Sequence, residues 1–234
     1  MPPSKKLILA RADLVEWVAR LGAVTAEALA ERDGCSVQDA RGRLRGAGRV
    51  GLLSSSSPLQ GRPALYTATA AGLRAVELEH LEPGHVSTAN AAHASACAEV
   101  AAMLERAYPG YRVVGERWLR YEESEYGAPL ASATLGRHAD GSPLLHRPDL
   151  VLRPMARESA AEEGWPVPVE VELTVKAPRR LLEICRAWAR CDFVATVIYF
   201  AAPEVVRPLR RAIETADAGE WIVVLTLEGT RPPD

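Results

Sequence analysis

The sequence lacks the features that define several large protein classes. It contains no apolar run of about 18 residues, so we expect neither a transmembrane helix nor a membrane partner. Its four cysteines are scattered and form no Cys-x-x-Cys pair, which argues against a disulfide framework and a structural zinc site. Basic residues near the N-terminus are followed by Arg11 and Asp13, a pattern that is not typical of a signal peptide. We therefore expect a cytoplasmic protein with reduced cysteines.

A Gly-rich phosphate loop and a Gly-x-Ser-x-Gly turn are also missing, and neither charge sign dominates. The formal net charge is −2, from 28 lysines and arginines against 30 acidic residues. This balance hides a basic segment between Ser36 and Arg62, where five arginines accompany one acid, Asp39. A local excess of this kind indicates nucleic-acid binding better than the charge of the whole chain does.

Apolar spacing and capping residues predict a helical first third that ends in a hairpin. Thr25, Ser36 and Thr69 are each placed to cap a helix, and Gly22 follows a stretch with helical spacing. A Ser-, Pro- and Gly-rich segment at 54–63 separates two short apolar runs. The predicted helices cover 12–21, 25–32, 36–46 and 69–80, and the predicted strands cover 50–53 and 64–67. This order resembles the winged helix-turn-helix fold over residues 8–80.

The predicted third helix carries the residues expected to face DNA. In a helix-turn-helix, the second helix of the motif lies in the major groove. Gln38, Arg41 and Arg45 lie opposite its apolar face, and Gln suits adenine as Arg suits guanine. Phosphate contacts are expected from three further cations: Arg43, Arg49 and, at the wing, Arg62. The alternatives are a merely solvated helix face and a winged helix that binds protein.

The sequence predicts two domains. Residues 1–82 form the first, and residues 83–234 form the second, which is of the α/β class. Glu82-Pro83-Gly84 is typical of a linker. A long Ala-rich helix is expected at 88–108, followed by a strand at 111–121 and a Gly- and Ser-rich loop at 128–142. The later elements predicted are strands at 148–152 and 167–175, a helix at 179–190, a strand at 193–200, a helix at 203–216 and a strand at 221–227. The order is therefore αβββαβ with a further αβ.

Acidic side chains and one lysine are concentrated on the strand predicted at 167–175. Because side chains alternate along a strand, Glu170, Glu172 and Lys176 are expected to share one face. Asp149 opens the neighbouring strand. Carboxylate oxygens can hold Mg²⁺, which activates water, and a lysine can stabilise the charge that develops on a phosphate. The pattern therefore favours metal-assisted phosphodiester hydrolysis.

At these residues the chain resembles the PD-(D/E)XK nuclease superfamily, whose core has the order αβββαβ. The resemblance implies that Asp149 is a metal-binding aspartate and that Glu99, on the preceding helix, is an additional acid. If Glu170 is the acid of the next motif, Glu172 stands where lysine is expected. If Glu172 is that acid, Thr174 stands there and the lysine has moved to Lys176.

The combination of both domains is similar to the replication-relaxation family of plasmid and integrative-element proteins, in which a winged helix precedes a degenerate nuclease-like domain. The resemblance implies DNA-linked work on a mobile element, with double-stranded DNA and other mobile-element proteins as partners. The resembling stretches are Tyr66 to Gly72, His93 with Glu99, Arg147-Pro148-Asp149, and Glu170 through Lys176 to Arg180.

The first functional hypothesis is a DNA-binding protein with Mg²⁺- or Mn²⁺-dependent endodeoxyribonuclease activity. Asp149 and Glu170 would be metal ligands, Glu99 an outer ligand, Glu172 a ligand or water-positioning group, and Lys176 an electrophilic helper. Arg179 and Arg180 would contact phosphates.

The alternative is a non-catalytic transcriptional or replication regulator with a vestigial nuclease fold and no metal. Its acids would form ion pairs, Asp149 with Lys176 and Glu170 with Arg179 or Arg180. A protein-binding scaffold is a third possibility, and the helix at 88–108 is a candidate homodimer interface.

Overall fold

A computed structural model describes residues 11–155 and 164–227 of the chain. The chain is a mixed α/β protein, as the sequence predicts, with eight helices in the described ranges. Its residue contacts divide it into two compact units, one up to Pro109 and one from Gly110. None of the helices in these ranges combines the length and apolar character that crossing a membrane requires.

The first unit consists of helices around a two-stranded hairpin. The hydroxyls of Thr25, Ser36 and Thr69 accept hydrogen bonds from the backbone N–H groups of Ala28, Asp39 and Gly72, so all three predicted caps are confirmed. The elements are α1 (Ala12–Leu21), α2 (Ala26–Asp33), α3 (Val37–Arg49), β1 (Leu53–Ser56), β2 (Leu65–Ala68), α4 (Ala70–Ala75) and α5 (Ala91–Ala107). Helix α4 is shorter than the predicted 69–80, because the chain turns at Val76.

The hairpin is fixed to the helices of its own unit by close backbone contacts. Strands β1 and β2 are antiparallel, and Val24 extends this pairing as an isolated bridge to Tyr66. Gly72 of α4 lies directly over the start of β1, where an added Cβ would be 2.0 Å from the carbonyl oxygen of Leu52. Only glycine permits this approach, so residue 72 fixes how α4 meets the hairpin.

Helix α5 belongs to the first unit, although the sequence placed it in the second. Its Glu105 lies 3.4 Å from the guanidinium of the buried Arg20 on α1 and 3.2 Å from that of Arg32 on α2. Burying two arginines beside one shared carboxylate ties α5 to α1 and α2. The unit boundary therefore falls after Pro109 rather than after residue 82.

The second unit is built on a mixed five-stranded sheet. Its elements are β3 (Tyr111–Gly115), α6 (Glu116–Tyr126), β4 (Ala133–Arg137), β5 (Pro143–His146), β6 (Leu150–Pro154), β7 (Val167–Glu172), α7 (Pro178–Trp188), β8 (Val197–Ala201), α8 (Pro203–Thr215) and β9 (Ile222–Thr226). The sheet order is β3-β6-β7-β8-β9, antiparallel from β3 to β7 and parallel from β7 to β9. The core cluster that includes Trp188, Tyr199 and Leu209 packs α7 and α8 on this sheet.

Two predicted elements of the second unit are wrong. The strand expected at 111–121 ends at Gly115, and α6 follows, because Leu119 and Glu123 recur at helical spacing on its buried side. The loop expected at 128–142 contains β4, which pairs with β5 in a separate two-stranded sheet.

The strand expected at 167–175 is also too long, since β7 ends at Glu172. Its last partner on β8 is Ala201, after which Pro203 opens α8, so residues beyond Glu172 have no parallel strand to pair with. Lys176 therefore lies on the segment before Pro178 and not on the strand face that was expected.

Candidate functional site

A groove between α3 and the hairpin is the first candidate site. Its volume is about 720 Å³. On one side it is lined by Gly42, Arg45, Gly48 and Arg49 of α3, and on the other by residues 53–55 and Tyr66 of the hairpin. We call this surface the α3–hairpin groove. Its charged side chains are those of Arg45 and Arg49, and it lies where the sequence placed the DNA-facing helix.

The arginines of α3 fall into two groups. Arg41 pairs with Glu27 at 3.3 Å, and Arg43 pairs with Asp33, both acids of α2. In contrast, Arg45 and Arg49 are exposed and form no ion pair with any residue in the ranges 11–155 and 164–227. Surface ion pairs contribute only about 0–1 kcal/mol, but they lower the positive potential at the paired cations. The strongest local field is therefore expected around Arg45 and Arg49.

Two other residues predicted to face DNA, Gln38 and Arg62, do not line this groove. Gln38 is exposed in the first turn of α3. Arg62 is exposed in the loop between β1 and β2, and its charge acts on the carboxyl of Glu99 on α5. The groove itself is thus formed by the C-terminal half of α3 rather than by its first turn.

The acids of β7 form the second candidate site, within the second unit. Glu170 and Glu172 are two residues apart on β7, so their side chains lie on the same face of the sheet. Glu170 pairs in register with Tyr199 of β8. Leu150 pairs with Val169, so the next position along each strand brings Asp149 opposite Glu170. Asp149 therefore lies next to β7, beside Glu170, at the end of the β6–β7 ladder.

These acids are buried and bind to groups of their own unit. Glu170 is only 2% exposed and accepts a hydrogen bond from Nε2 of His146, at 2.6 Å. Glu172 is also buried and pairs with Nζ of Lys176. The predicted alternative pairs, Asp149 with Lys176 and Glu170 with Arg179 or Arg180, are wrong, because these cations have nearer acids.

Asp149 has a structural contact at the end of the β6–β7 ladder. Its Oδ2 accepts a hydrogen bond of 2.8 Å from the backbone N–H of Val171. A carboxylate in this position takes the place that a strand carbonyl would otherwise fill. The contact holds Asp149 beside β7, and it occupies one of the oxygens that a metal would use.

The surroundings of Glu170 are apolar and aromatic. His146 meets the ring of Trp188 edge-on, with centroids 5.9 Å apart. Burial, and secondly the charge of Glu170, raise the pKa of Tyr199 well above its usual value. The same two causes raise the pKa of the Cys185 thiol to about 11. Both groups are therefore neutral at physiological pH and supply no nucleophile to this region.

Glu170 and Glu172 belong to no group of three possible metal ligands among the described residues. Within the described part of the second unit, no three His, Cys, Asp or Glu ligand atoms lie within 4.8 Å of one another. Asp149, Glu170 and Glu172 therefore do not converge as a three-acid metal site would.

Glu99 lies on α5, in the first unit, and accepts a hydrogen bond of 3.3 Å from the hydroxyl of Ser95. Although the residue as a whole is exposed, partial burial raises the pKa of its carboxyl. The Ser95 hydrogen bond opposes that shift, and the charge of Glu27 adds to it.

Arg179 and Arg180 are exposed at the start of α7, as expected. Both lie near Glu183 one turn later, at 3.2 Å and 3.8 Å respectively. Pairs of this kind exchange readily with solvent. The two arginines remain accessible, but they are partly neutralised by their own helix.

Sequence reasoning missed two polar contacts within the second unit. His146 ends β5, a strand that was not predicted from the sequence, and it reaches Glu170 across 24 positions of sequence. Glu123 of α6 is buried and accepts hydrogen bonds from the backbone N–H of Leu130, at 3.0 Å, and from Nε of Arg147, at 3.1 Å. A lone histidine and a glutamate in a polar stretch give no signal of these contacts in the sequence.

Comparison with protein-family models, with curated proteins and with solved structures found no match for this chain. The resemblance to the replication-relaxation family and to PD-(D/E)XK nucleases accordingly stays a prediction from the sequence.

Proposed function

We propose that the chain is a double-stranded DNA-binding protein that contacts DNA through its first unit, a winged helix-turn-helix module. The α3–hairpin groove carries this proposal, because it presents Arg45 and Arg49 without an acidic partner in the described ranges beside an exposed helix face. Phosphate neutralisation by such cations supplies most of the affinity in non-specific DNA binding and much of it in specific binding.

We propose further that the second unit is a nuclease-like domain whose acids have a structural role. Its antiparallel β3, β6 and β7, followed by α7 and the parallel β8, correspond to the βββαβ part of the expected order, and the helix expected before them is α5 of the first unit. The pairing of Glu170 with His146 and of Glu172 with Lys176 supports the non-catalytic alternative, since an active metal site needs these carboxylates as open ligands. Divalent metal is then not required for DNA binding.

Fluorescence anisotropy with a labelled 25-base-pair duplex tests the proposal. At about 50 mM salt, a condition that favours electrostatic binding, we expect binding in EDTA that 5 mM MgCl₂ does not strengthen. Absence of binding in both buffers would refute the proposed function.

Supercoiled plasmid incubated with Mg²⁺ or Mn²⁺ tests the nuclease alternative in parallel, with Asp149→Ala as the matched variant. We expect no nicking by either protein. If the wild type cleaves the plasmid and Asp149→Ala does not, the chain is a metal-dependent nuclease and the proposal of a non-catalytic regulator is wrong.

A further inference from the structure

Gly42 is a glycine that the fold does not need. It lies in the middle of α3, where glycine destabilises a helix relative to alanine. A Cβ added at Gly42 would meet nothing within 4 Å, and its φ is not in the left-handed region. Gly72, by contrast, is required by the carbonyl of Leu52. The missing side chain at Gly42 therefore opens space only on the outside of the helix.

The open position at Gly42 lies among the two arginines that have no acidic partner. Gly42, Arg45 and Arg49 have the spacing i, i+3 and i+7, so they share one face of α3. That face lines the α3–hairpin groove, opposite Ser54 and Ser55 of β1. Ser54 and Ser55 are both exposed, and the hydroxyl of Ser54 is bonded to that of Thr67 at 3.0 Å. Cations and a hydroxyl thus surround a stretch of helix that has no side chain.

We infer that the α3–hairpin groove holds one sugar-phosphate strand of DNA against the backbone of α3 at Gly42. Arg45 and Arg49 then bind phosphates rather than base edges, which revises the role expected for Arg45 from the sequence. The inference rests on the proposed DNA binding and goes beyond it by naming the contacted part of the ligand. Phosphate contacts fix the position of a protein on the duplex without selecting the base sequence.

Gly42→Ala tests the close approach, with Gly46→Ala as the matched control on the same helix. Residue 46 is buried, does not line the groove, and its added Cβ would meet Arg11 at an ordinary 3.5 Å. Gly42→Ala should raise the melting temperature by about 4 °C through helix propensity. The same methyl group should weaken DNA binding about tenfold, because it occupies the space of the phosphate strand. Gly46→Ala should leave the affinity unchanged.

The arginines are tested on two duplexes of equal length and unrelated sequence. Arg45→Ala and Arg49→Ala should each weaken binding about tenfold, by the same factor on both duplexes. Arg106→Ala, which removes one charge from a surface pair with Glu31 outside the groove, should change affinity less than twofold.

The inference is wrong if Gly42→Ala binds DNA as tightly as the wild type, or if Arg45→Ala loses affinity by different factors on the two duplexes. Either result leaves the proposed DNA binding intact. If the wild type binds neither duplex, the proposed function itself is wrong, so the two failures are distinguishable.

Discussion

His146→Ala is predicted to destabilise the second unit by leaving the carboxylate of Glu170 buried without its partner. Glu170 is 2% exposed and its Oε1 accepts the 2.6 Å hydrogen bond from His146. Leaving a buried polar group without its hydrogen-bond partner costs about 1–3 kcal/mol, and more for a charged group. The His146 side chain is 13% exposed, so some water can replace the lost contact. We therefore expect a loss of about 3 kcal/mol of the free energy of unfolding.

Urea unfolding followed by circular dichroism and tryptophan fluorescence measures this loss. Glu170→Gln in the His146→Ala background should recover at least about half of it, because an amide is far less costly to bury than a charge. Arg120→Ala is the surface control, since its pair with Glu116 lies on the exposed side of α6, and it should shift stability by less than about 1 kcal/mol. Additive effects of His146→Ala and Glu170→Gln would refute this account of the pair.

Three further predictions concern Glu27, Gly72 and the four cysteines. Glu27→Gln should tighten DNA binding about twofold to fivefold in anisotropy titrations, because it removes the negative charge paired with Arg41 beside the α3–hairpin groove. A weaker complex would contradict the proposed electrostatics. Gly72→Ala should lower the free energy of unfolding by roughly 1–3 kcal/mol, since its Cβ would lie 2.0 Å from a backbone oxygen, and an unchanged urea midpoint would show that α4 shifts freely. A thiol reagent at pH 8 should label Cys35 and Cys97 in the native protein but reach Cys185 and Cys191 only after unfolding. Burial raises the pKa of the Cys185 and Cys191 thiols to about 11, so roughly one molecule in a thousand carries the thiolate at pH 8. Rapid labelling of all four cysteines in the native protein would contradict this burial.

Local chemistry made much of the first unit predictable. The caps at Thr25, Ser36 and Thr69 were identified because an N-cap depends on a side chain and the backbone three residues later. The hairpin followed from a turn-rich segment between short apolar runs. The assignment of α5 failed, because its ion pairs with Arg20 and Arg32 join residues far apart in sequence.

The acid cluster was only partly predictable for the same reason. Alternation along β7 correctly placed Glu170 and Glu172 on one face, and the register with β6 brought Asp149 opposite Glu170. The length of β7 depends on where β8 ends, so the position of Lys176 was missed. The mixture of apolar and charged residues at 111–121 fits both a strand and a helix, and the burial of residues on α6 decides between them.

The salt dependence of DNA affinity tests the central claim most directly. The observed association constant is measured in EDTA between about 50 and 200 mM salt for the wild type and for Arg45→Ala/Arg49→Ala. The account predicts a steep linear decrease of log K with log salt, and a slope shallower by about 1.8 in the double variant, as expected for two lost phosphate contacts. A wild-type slope near zero, or equal slopes for both proteins, would contradict DNA binding through the α3–hairpin groove.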